Sequence, residues 1–146
     1  MEVLFTYSNL IGSKWIREIT GEPVSHCAIR CGPLVLQSSY NGVQLTSYKD
    51  FNNHNEIVYT VPVISTNHQF IQIYRKYRGR SYDYGALFFL AIRYFCAKIG
   101  IKLPYKNLWQ DSGCYLCTEF VTSAVLGKAD SLITPYQLYL KLKDNK

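Results

Sequence analysis

The fold is decided by residues 25–46, which read SHCAIRCGPLVLQSSYNGVQLT. Three short strand-like runs are separated there by Gly32-Pro33 and Asn41-Gly42, dipeptides that favour tight turns. Similar runs near the N-terminus and after residue 55 add two more strands. The five predicted strands cover residues 2–7, 25–31, 34–38, 43–46 and 56–63.

Helical periodicity replaces strand periodicity after residue 65. Thr66 and Gln69 form the capping-box pattern that opens a helix. The run from 84 to 99 is apolar almost all round, which is typical of a buried helix. Predicted helices cover about residues 10–20, 66–78, 84–99, 114–126 and 134–142. Because most strands precede most helices, we predict an α+β fold with a small antiparallel sheet.

The composition is that of one globular domain. The chain has 146 residues and no Pro/Gly/Ser-rich linker, so we predict a single domain over residues 1–146. Sixteen basic and ten acidic residues give a formal net charge of +6, which permits an anionic partner. No block of five like charges occurs in the sequence, so no nucleic-acid partner is expected.

Targeting signals and the number of cysteines limit the cellular compartments in which the protein is expected. The N-terminal residues lack the basic and apolar regions of a signal peptide, and the longest apolar run, 86–92, is too short for a transmembrane segment. We therefore expect a cytoplasmic protein or, for a phage- or virus-encoded chain, one in the host-cell cytoplasm or virion. Five cysteines are an odd number, so the thiols are predicted to be free, metal-bound or catalytic.

Cys117 is the leading candidate for a reactive group. It is predicted near the start of an apolar-striped helix, after Asp111-Ser112-Gly113. Unpaired backbone N–H groups and the helix dipole at such a position stabilise a thiolate. The same N–H groups can hold the oxyanion that develops when a thiolate attacks a carbonyl. On position alone, a small buried core cysteine remains the open alternative.

His26 is the candidate general base. Strand alternation places His26 and Ala28 on one face, and the small Ala28 would let the cysteine helix approach. Gln37, on the neighbouring strand, is the candidate polar residue that orients the imidazole. Taken singly, both residues also suit structural roles. His54, in an Asn-rich loop, and His68 are expected to be solvated.

The cysteine spacings also suggest two weaker sites. Cys27-x-x-x-Cys31 and Cys114-x-x-Cys117 could together supply four thiolates to zinc. Residues four apart on a strand are about 13 Å apart, which disfavours a shared metal, so no metal or cofactor is expected. A redox pair of Cys114 and Cys117 would need a thioredoxin-like context with parallel strands, which the strand order does not suggest.

Four motifs carry a family resemblance when taken together: Ser25-His26-Cys27-Ala28-Ile29, Val35-Leu36-Gln37-Ser38, Gly42-Val43 and Cys117-Thr118-Glu119-Phe120-Val121. Their order resembles the circularly permuted branch of the NlpC-type papain-like cysteine peptidases. That branch includes bacterial YiiX-like proteins, poxvirus members and the lecithin retinol acyltransferase group. Its histidine strand comes first and its cysteine helix last. Residues 16–20, 79–84 and Thr134-Pro135 add weaker similarities, so the resemblance covers about residues 4–140.

The resemblance implies a papain-like domain with Cys117 as nucleophile, His26 as base and Gln37 as the polar third residue. YiiX-like and poxvirus members typically have Glu at the position of Gln37, and the acyltransferase group has His. The implied chemistry is hydrolysis or acyl transfer through a thioester, on a peptide or cell-wall peptide amide or on an acyl lipid. A non-catalytic binding module that retains the fold is the alternative of a different class. Tyr7 and Tyr82 are further candidates for a substrate pocket.

Overall fold

Five antiparallel strands form the central sheet in the computed structural model, which describes residues 1–103, 113–130 and 132–144. The strands are β1 (Glu2–Tyr7), β2 (His26–Cys31), β3 (Leu34–Ser39), β4 (Gly42–Ser47) and β5 (Glu56–Pro62). Their order across the sheet is β4-β3-β2-β1-β5, and each of these neighbouring pairs is antiparallel. Each predicted strand is confirmed to within one residue at either end.

Six helices accompany the sheet within the described residues. They are α1 (Ile11–Thr20), α2 (Tyr48–His54), α3 (Asn67–Tyr77), α4 (Tyr84–Lys98), α5 (Cys117–Leu126) and α6 (Pro135–Asp144). The predicted capping box is confirmed at the start of α3, where Thr66 and Gln69 each bond the other's backbone N–H. The described chain is therefore a small α+β domain, as the sequence pattern predicted.

The helix that carries Cys117 packs on one face of the sheet. Cys27 of β2 and Cys117 of α5 belong to the same core cluster. The prediction that this helix approaches over Ala28 is wrong, because Ala28 clusters instead with Phe51 of α2. Both faces of β2 carry small or apolar residues, so strand alternation did not identify the face that α5 covers.

The opposite face is covered by α2, which the sequence analysis assigned to a loop. Ser47 opens this helix, since its hydroxyl accepts a hydrogen bond from the Asp50 N–H at 3.0 Å. Phe51 is the only buried residue of the helix and is 2% exposed. Two apolar residues in seven, Tyr48 and Phe51, are too few to show helical periodicity, which explains why the pattern did not predict α2.

The start of α5 lies three residues later than predicted. Cys114 forms an isolated parallel bridge with Ser81, and the Tyr115 N–H donates to the Ser81 carbonyl at 3.0 Å. Because these contacts use extended backbone, the helix begins only at Cys117. The shift moves Cys117 from the second turn to the first helical residue.

A close backbone contact with Gly42 positions the segment that precedes α4. Gly42 has a φ of +86°, and a Cβ atom there would collide with the carbonyl oxygen of Arg80. The Val43 N–H donates to the same oxygen at 2.8 Å. Glycine is therefore required at this turn both for its conformation and for the close approach. The contact fixes residue 80 immediately before the bridge that Ser81 makes to Cys114.

The burial predicted for α4 is only partly observed. Three of its residues are buried, but Tyr84, Phe88 and Phe95 are 59%, 62% and 63% exposed. These three positions fall on one side of the helix at 100° per residue. None of the helices in the described part of the chain is long and apolar enough to cross a membrane.

Candidate active site

Cys117 is the first residue of α5, and only 6% of it is exposed. The turn before it is held from two sides. The Ser38 hydroxyl of β3 donates to the Tyr115 carbonyl at 2.6 Å, and Tyr115 donates to Ser81. The first N–H groups of an α-helix lack intrahelical acceptors. The thiol therefore occupies the position at which a helix stabilises an anion.

A buried carboxylate, which the sequence analysis did not single out, caps the same helix. Glu119 is 2% exposed, and its carboxylate accepts the Leu116 N–H at 3.4 Å. This bond satisfies one backbone donor at the start of α5 and fixes the backbone next to the thiol. Asp111 and Ser112, which the sequence analysis placed before the cysteine, lie outside the described residues.

His26 and Gln37 form a direct side-chain pair. The Nε2 atom of His26 and the Oε1 atom of Gln37 are 3.0 Å apart. Arg30 pairs with Val35 across β2 and β3, so His26 and Gln37 lie on the same face of the sheet. The ring of Phe51 lies beside the imidazole with its centroid 6.3 Å away. With Oε1 as acceptor, Gln37 keeps the proton on Nε2 and leaves Nδ1 for a second partner.

Cys117 lies within hydrogen-bonding reach of His26, and the two groups shift each other's pKa. Burial alone would lower the pKa of His26, but the hydrogen bond and charge of Cys117, together with the bond to Gln37, raise it above its ordinary value. The three predicted residues are thus adjacent in the order thiol, imidazole and amide. This arrangement stabilises a thiolate beside an imidazolium.

Cys27 is a second thiol close to Cys117, in the same core cluster. Its hydrogen bond is the largest effect that lowers the pKa of Cys117 well below the ordinary thiol value, and it outweighs the opposing effect of burial. The backbone of Cys27 bonds to Cys117 as well. Conversely, burial and the contact with Cys117 raise the pKa of Cys27. The pKa values of the two thiols are therefore shifted in opposite directions, and Cys117 is the one whose thiolate is favoured.

Sequence reasoning considered Cys27 only as a zinc ligand. Strand alternation puts Cys27 on the face opposite His26, and a histidine-centred search therefore passes over it. The signal that could have found it is its position, one residue after His26 on the face that packs against α5. Ser38, directly after Gln37, was missed for the same reason, although it holds the turn before Cys117.

The two predicted pocket tyrosines lie in different places. Tyr82 is close to both thiols, and its burial and the charge of Cys117 raise its pKa well above the ordinary value. Tyr7 stacks under the Arg17 guanidinium at 4.2 Å, and the nearby Glu56 raises the pKa of its phenol. It lines a cavity of about 560 Å³ to which neither His26 nor Cys117 contributes. Tyr82 therefore belongs to the surroundings of the thiol, whereas Tyr7 belongs to another surface.

The cysteines of the alternative zinc site are separated by their partners. Cys27 contacts Cys117, whereas the Cys31 thiol donates to the Asn67 side chain at 3.2 Å. Across residues 1–103, 113–130 and 132–144, no three His, Cys, Asp or Glu side chains are grouped so that they could hold a metal ion. Cys114 precedes α5 and bridges to Ser81, so the Cys114-x-x-Cys117 pair is not contained in one helix.

Comparison with known proteins does not assign the chain to a family. The chain matches no protein-family model and no curated protein. The chemistry of the site is therefore carried by its own residues: a thiol at a helix start, an imidazole, an amide and a second thiol.

Proposed function

We propose that the protein is a cysteine hydrolase or acyltransferase that attacks an amide carbonyl and forms a thioester on Cys117. The observation that carries the proposal is the contact of the Cys117 thiol, at the start of α5, with an imidazole that is itself bonded to Gln37 at 3.0 Å. A nucleophile, a base within reach and a group that orients the base are the three parts that thiol acyl transfer requires.

Each side chain then has a defined part in the reaction. The Cys117 sulfur attacks the carbonyl carbon, and the oxyanion forms near the N–H groups at the start of α5. His26, as imidazolium, gives its proton to the leaving amine when the C–N bond breaks, and the acyl group remains on sulfur. His26, now neutral, takes a proton from water or another acceptor as that molecule attacks the thioester, the C–S bond breaks, and Cys117 leaves as a thiolate beside the imidazolium. Gln37 holds the ring in one tautomer but carries no charge to balance the imidazolium.

The proposed family is the permuted papain-like branch. Its support is the order of the motifs along the chain, with His26 on β2, Gln37 on β3 and Cys117 on a late helix. The packing of α5 against β2 fits the same arrangement. Gln37 departs from the Glu or His typical of the named groups, and this predicts a weaker ion pair than in a relative with a carboxylate.

The favoured substrate class is a peptide amide, including a cell-wall peptide. An acyl lipid is the second candidate, and a specific observation favours it: α4 exposes Tyr84, Phe88 and Phe95 along one side. Apolar and aromatic side chains on an exposed helix suit contact with lipid. A binding module without turnover would keep the fold but would not require a reactive thiol.

An activated acyl donor tests the proposal without knowledge of the substrate. The protein is incubated with p-nitrophenyl acetate, quenched in acid and examined by intact mass and peptide mapping. We expect one acetyl group on Cys117, none in Cys117→Ala, and slower acetylation in His26→Ala. Acetylation spread over the other cysteines, or equal rates with and without His26, would contradict the proposal. Turnover of peptide amides against acyl lipids then selects the substrate class.

A further inference from the structure

The second thiol of the site has no part in the acyl-transfer steps. Cys27 is fully buried on β2, on the sheet face that α5 covers, and it neighbours Cys117 at the start of that helix. Both residues belong to one packed core cluster. All the cysteines of the described chain are free thiols, so both neighbouring thiols are in the reduced form.

We propose that oxidation of Cys117 by a hydroperoxide leads to a reversible disulfide between Cys117 and Cys27. The site is then a peroxide-sensitive modification site as well as a nucleophile. The regulation of activity rests on the proposed function, because the disulfide would consume the nucleophile. The formation of the bond itself does not rest on it.

The chemistry balances in two steps. The Cys117 thiolate attacks one oxygen of the hydroperoxide, the O–O bond breaks, and a sulfenic acid forms while the departing oxide takes up a proton. The Cys27 sulfur then attacks the Cys117 sulfur, the S–OH bond breaks and the S–S bond forms. The departing hydroxide takes the Cys27 proton and leaves as water. The two thiols together lose two electrons, which the hydroperoxide gains.

The different surroundings of the two thiols suit this order of steps. Cys117 lies at a helix start beside His26 and retains slight exposure, so it is the thiol that a small peroxide can meet. Cys27 is sealed from solvent and faces Cys117, so it acts second, as the resolving thiol. A resolving thiol in contact with the sulfenic acid competes with further oxidation to the irreversible sulfinic acid.

The other thiols are less well placed to resolve the sulfenic acid. Cys31 lies four residues beyond Cys27 on the same strand, about 13 Å along it, and its thiol donates to Asn67. Cys96 lies near the end of α4, and the backbone of Cys114 is tied to Ser81. The geometry therefore predicts one disulfide rather than a mixture. Cys31→Ser provides a matched control for Cys27→Ser, because it removes another thiol from the same strand.

The test uses the full chain with equimolar hydrogen peroxide, followed by peptide mapping under non-reducing conditions. In the wild-type protein we expect the intact mass to fall by two hydrogen atoms and a Cys27–Cys117 cross-linked peptide to appear. Alkylation of Cys117 should be lost, and dithiothreitol should restore it. Cys31→Ser should behave like the wild type. Cys27→Ser should gain oxygen on Cys117 instead, and dithiothreitol should restore progressively less of its alkylation as exposure lengthens.

Two results would overturn the inference: oxygen added to wild-type Cys117 without a cross-link, or a cross-link that joins Cys117 to a different cysteine. Mapping of the wild-type protein decides the question even if Cys27→Ser fails to fold. The outcome is separable from the proposed function. A protein that forms the disulfide but takes up no acyl group refutes only the function, whereas one that acylates but never cross-links refutes only the switch.

Discussion

Replacement of Gln37 by Glu should convert a neutral support of His26 into a charged one. The change keeps the length and shape of the side chain and places a carboxylate oxygen where Oε1 now lies 3.0 Å from Nε2 of His26. The carboxylate would stabilise the imidazolium directly, so the pKa of His26 should rise. The sign follows from the charged form: an adjacent anion favours protonated histidine to higher pH.

The size of the effect follows from the distance. Two unit charges 3.0 Å apart attract by about 5.5 kcal/mol at an effective dielectric constant of 20 and by about 1.4 kcal/mol at 80. Both groups are half-buried, so loss of carboxylate solvation offsets part of the larger figure. We therefore expect the pKa of His26 to rise by about 1–3 units, which corresponds to about 1.4–4 kcal/mol.

NMR titration of the histidine ring protons measures this shift. The comparison is best made in a Cys117→Ala background, because coupled titration with the thiol would otherwise mix two protonation steps. The ring signals of His54 and His68 serve as internal references for the comparison of the two proteins. Gln37→Leu is the opposite control: it removes the acceptor, and the His26 midpoint should fall. An unchanged His26 curve in Gln37→Glu would refute the contact and the role given to Gln37.

Two stability predictions follow from packing, each measured as the free energy of unfolding in urea with its own control. Gly42→Ala should cost about 2–4 kcal/mol, because it combines a left-handed conformation with a collision against the Arg80 carbonyl. Gly32→Ala, in open space at a φ of +57°, should cost only about 1–2 kcal/mol, and equal losses would argue against the close contact. Phe51→Ala should cost about 3–5 kcal/mol because Phe51 fills the core under α2. Phe95→Ala, 63% exposed, should change stability by about 0.5 kcal/mol or less, and a similar loss in both would contradict the assigned packing.

The strands could be predicted closely because local chemistry sets their ends. Gly32 and Gly42 both adopt positive φ at the turns where the sequence placed them. Apolar alternation and the capping box of Thr66 likewise act within a few residues. The short helix α2 was missed because its stability depends on one side chain, Phe51, which packs across the sheet rather than along the helix.

The composition of the site could be predicted, but not its packing. His26, Gln37 and Cys117 were identified from residue type and order. The start of α5 depends on a bridge between Cys114 and Ser81, which are 33 positions apart, and no local pattern encodes it. Similarly, both faces of β2 are apolar enough to accept a helix, so the contact with Cys27 appears only when the chain is folded.

The burial of α4 shows a different limit. When a helix is apolar all round, its sequence does not show which side is buried, and the sequence alone favours burial of the whole helix. The structure buries Phe89 but leaves Phe95 more than half exposed. The choice between these residues depends on which surfaces the sheet and α1 offer, and that information lies outside the helix.

The most direct test of the central claim is the pH dependence of iodoacetamide alkylation, mapped to each of the five cysteines. We predict that Cys117 alone reacts fast near neutral pH, with a midpoint below the ordinary thiol value of about 8.5. His26→Ala should move that midpoint upward and slow the reaction at pH 7, because the imidazolium that stabilises the thiolate is lost. If Cys117 reacts no faster than the other cysteines, or if its rate is indifferent to His26, the site is not a cysteine nucleophile.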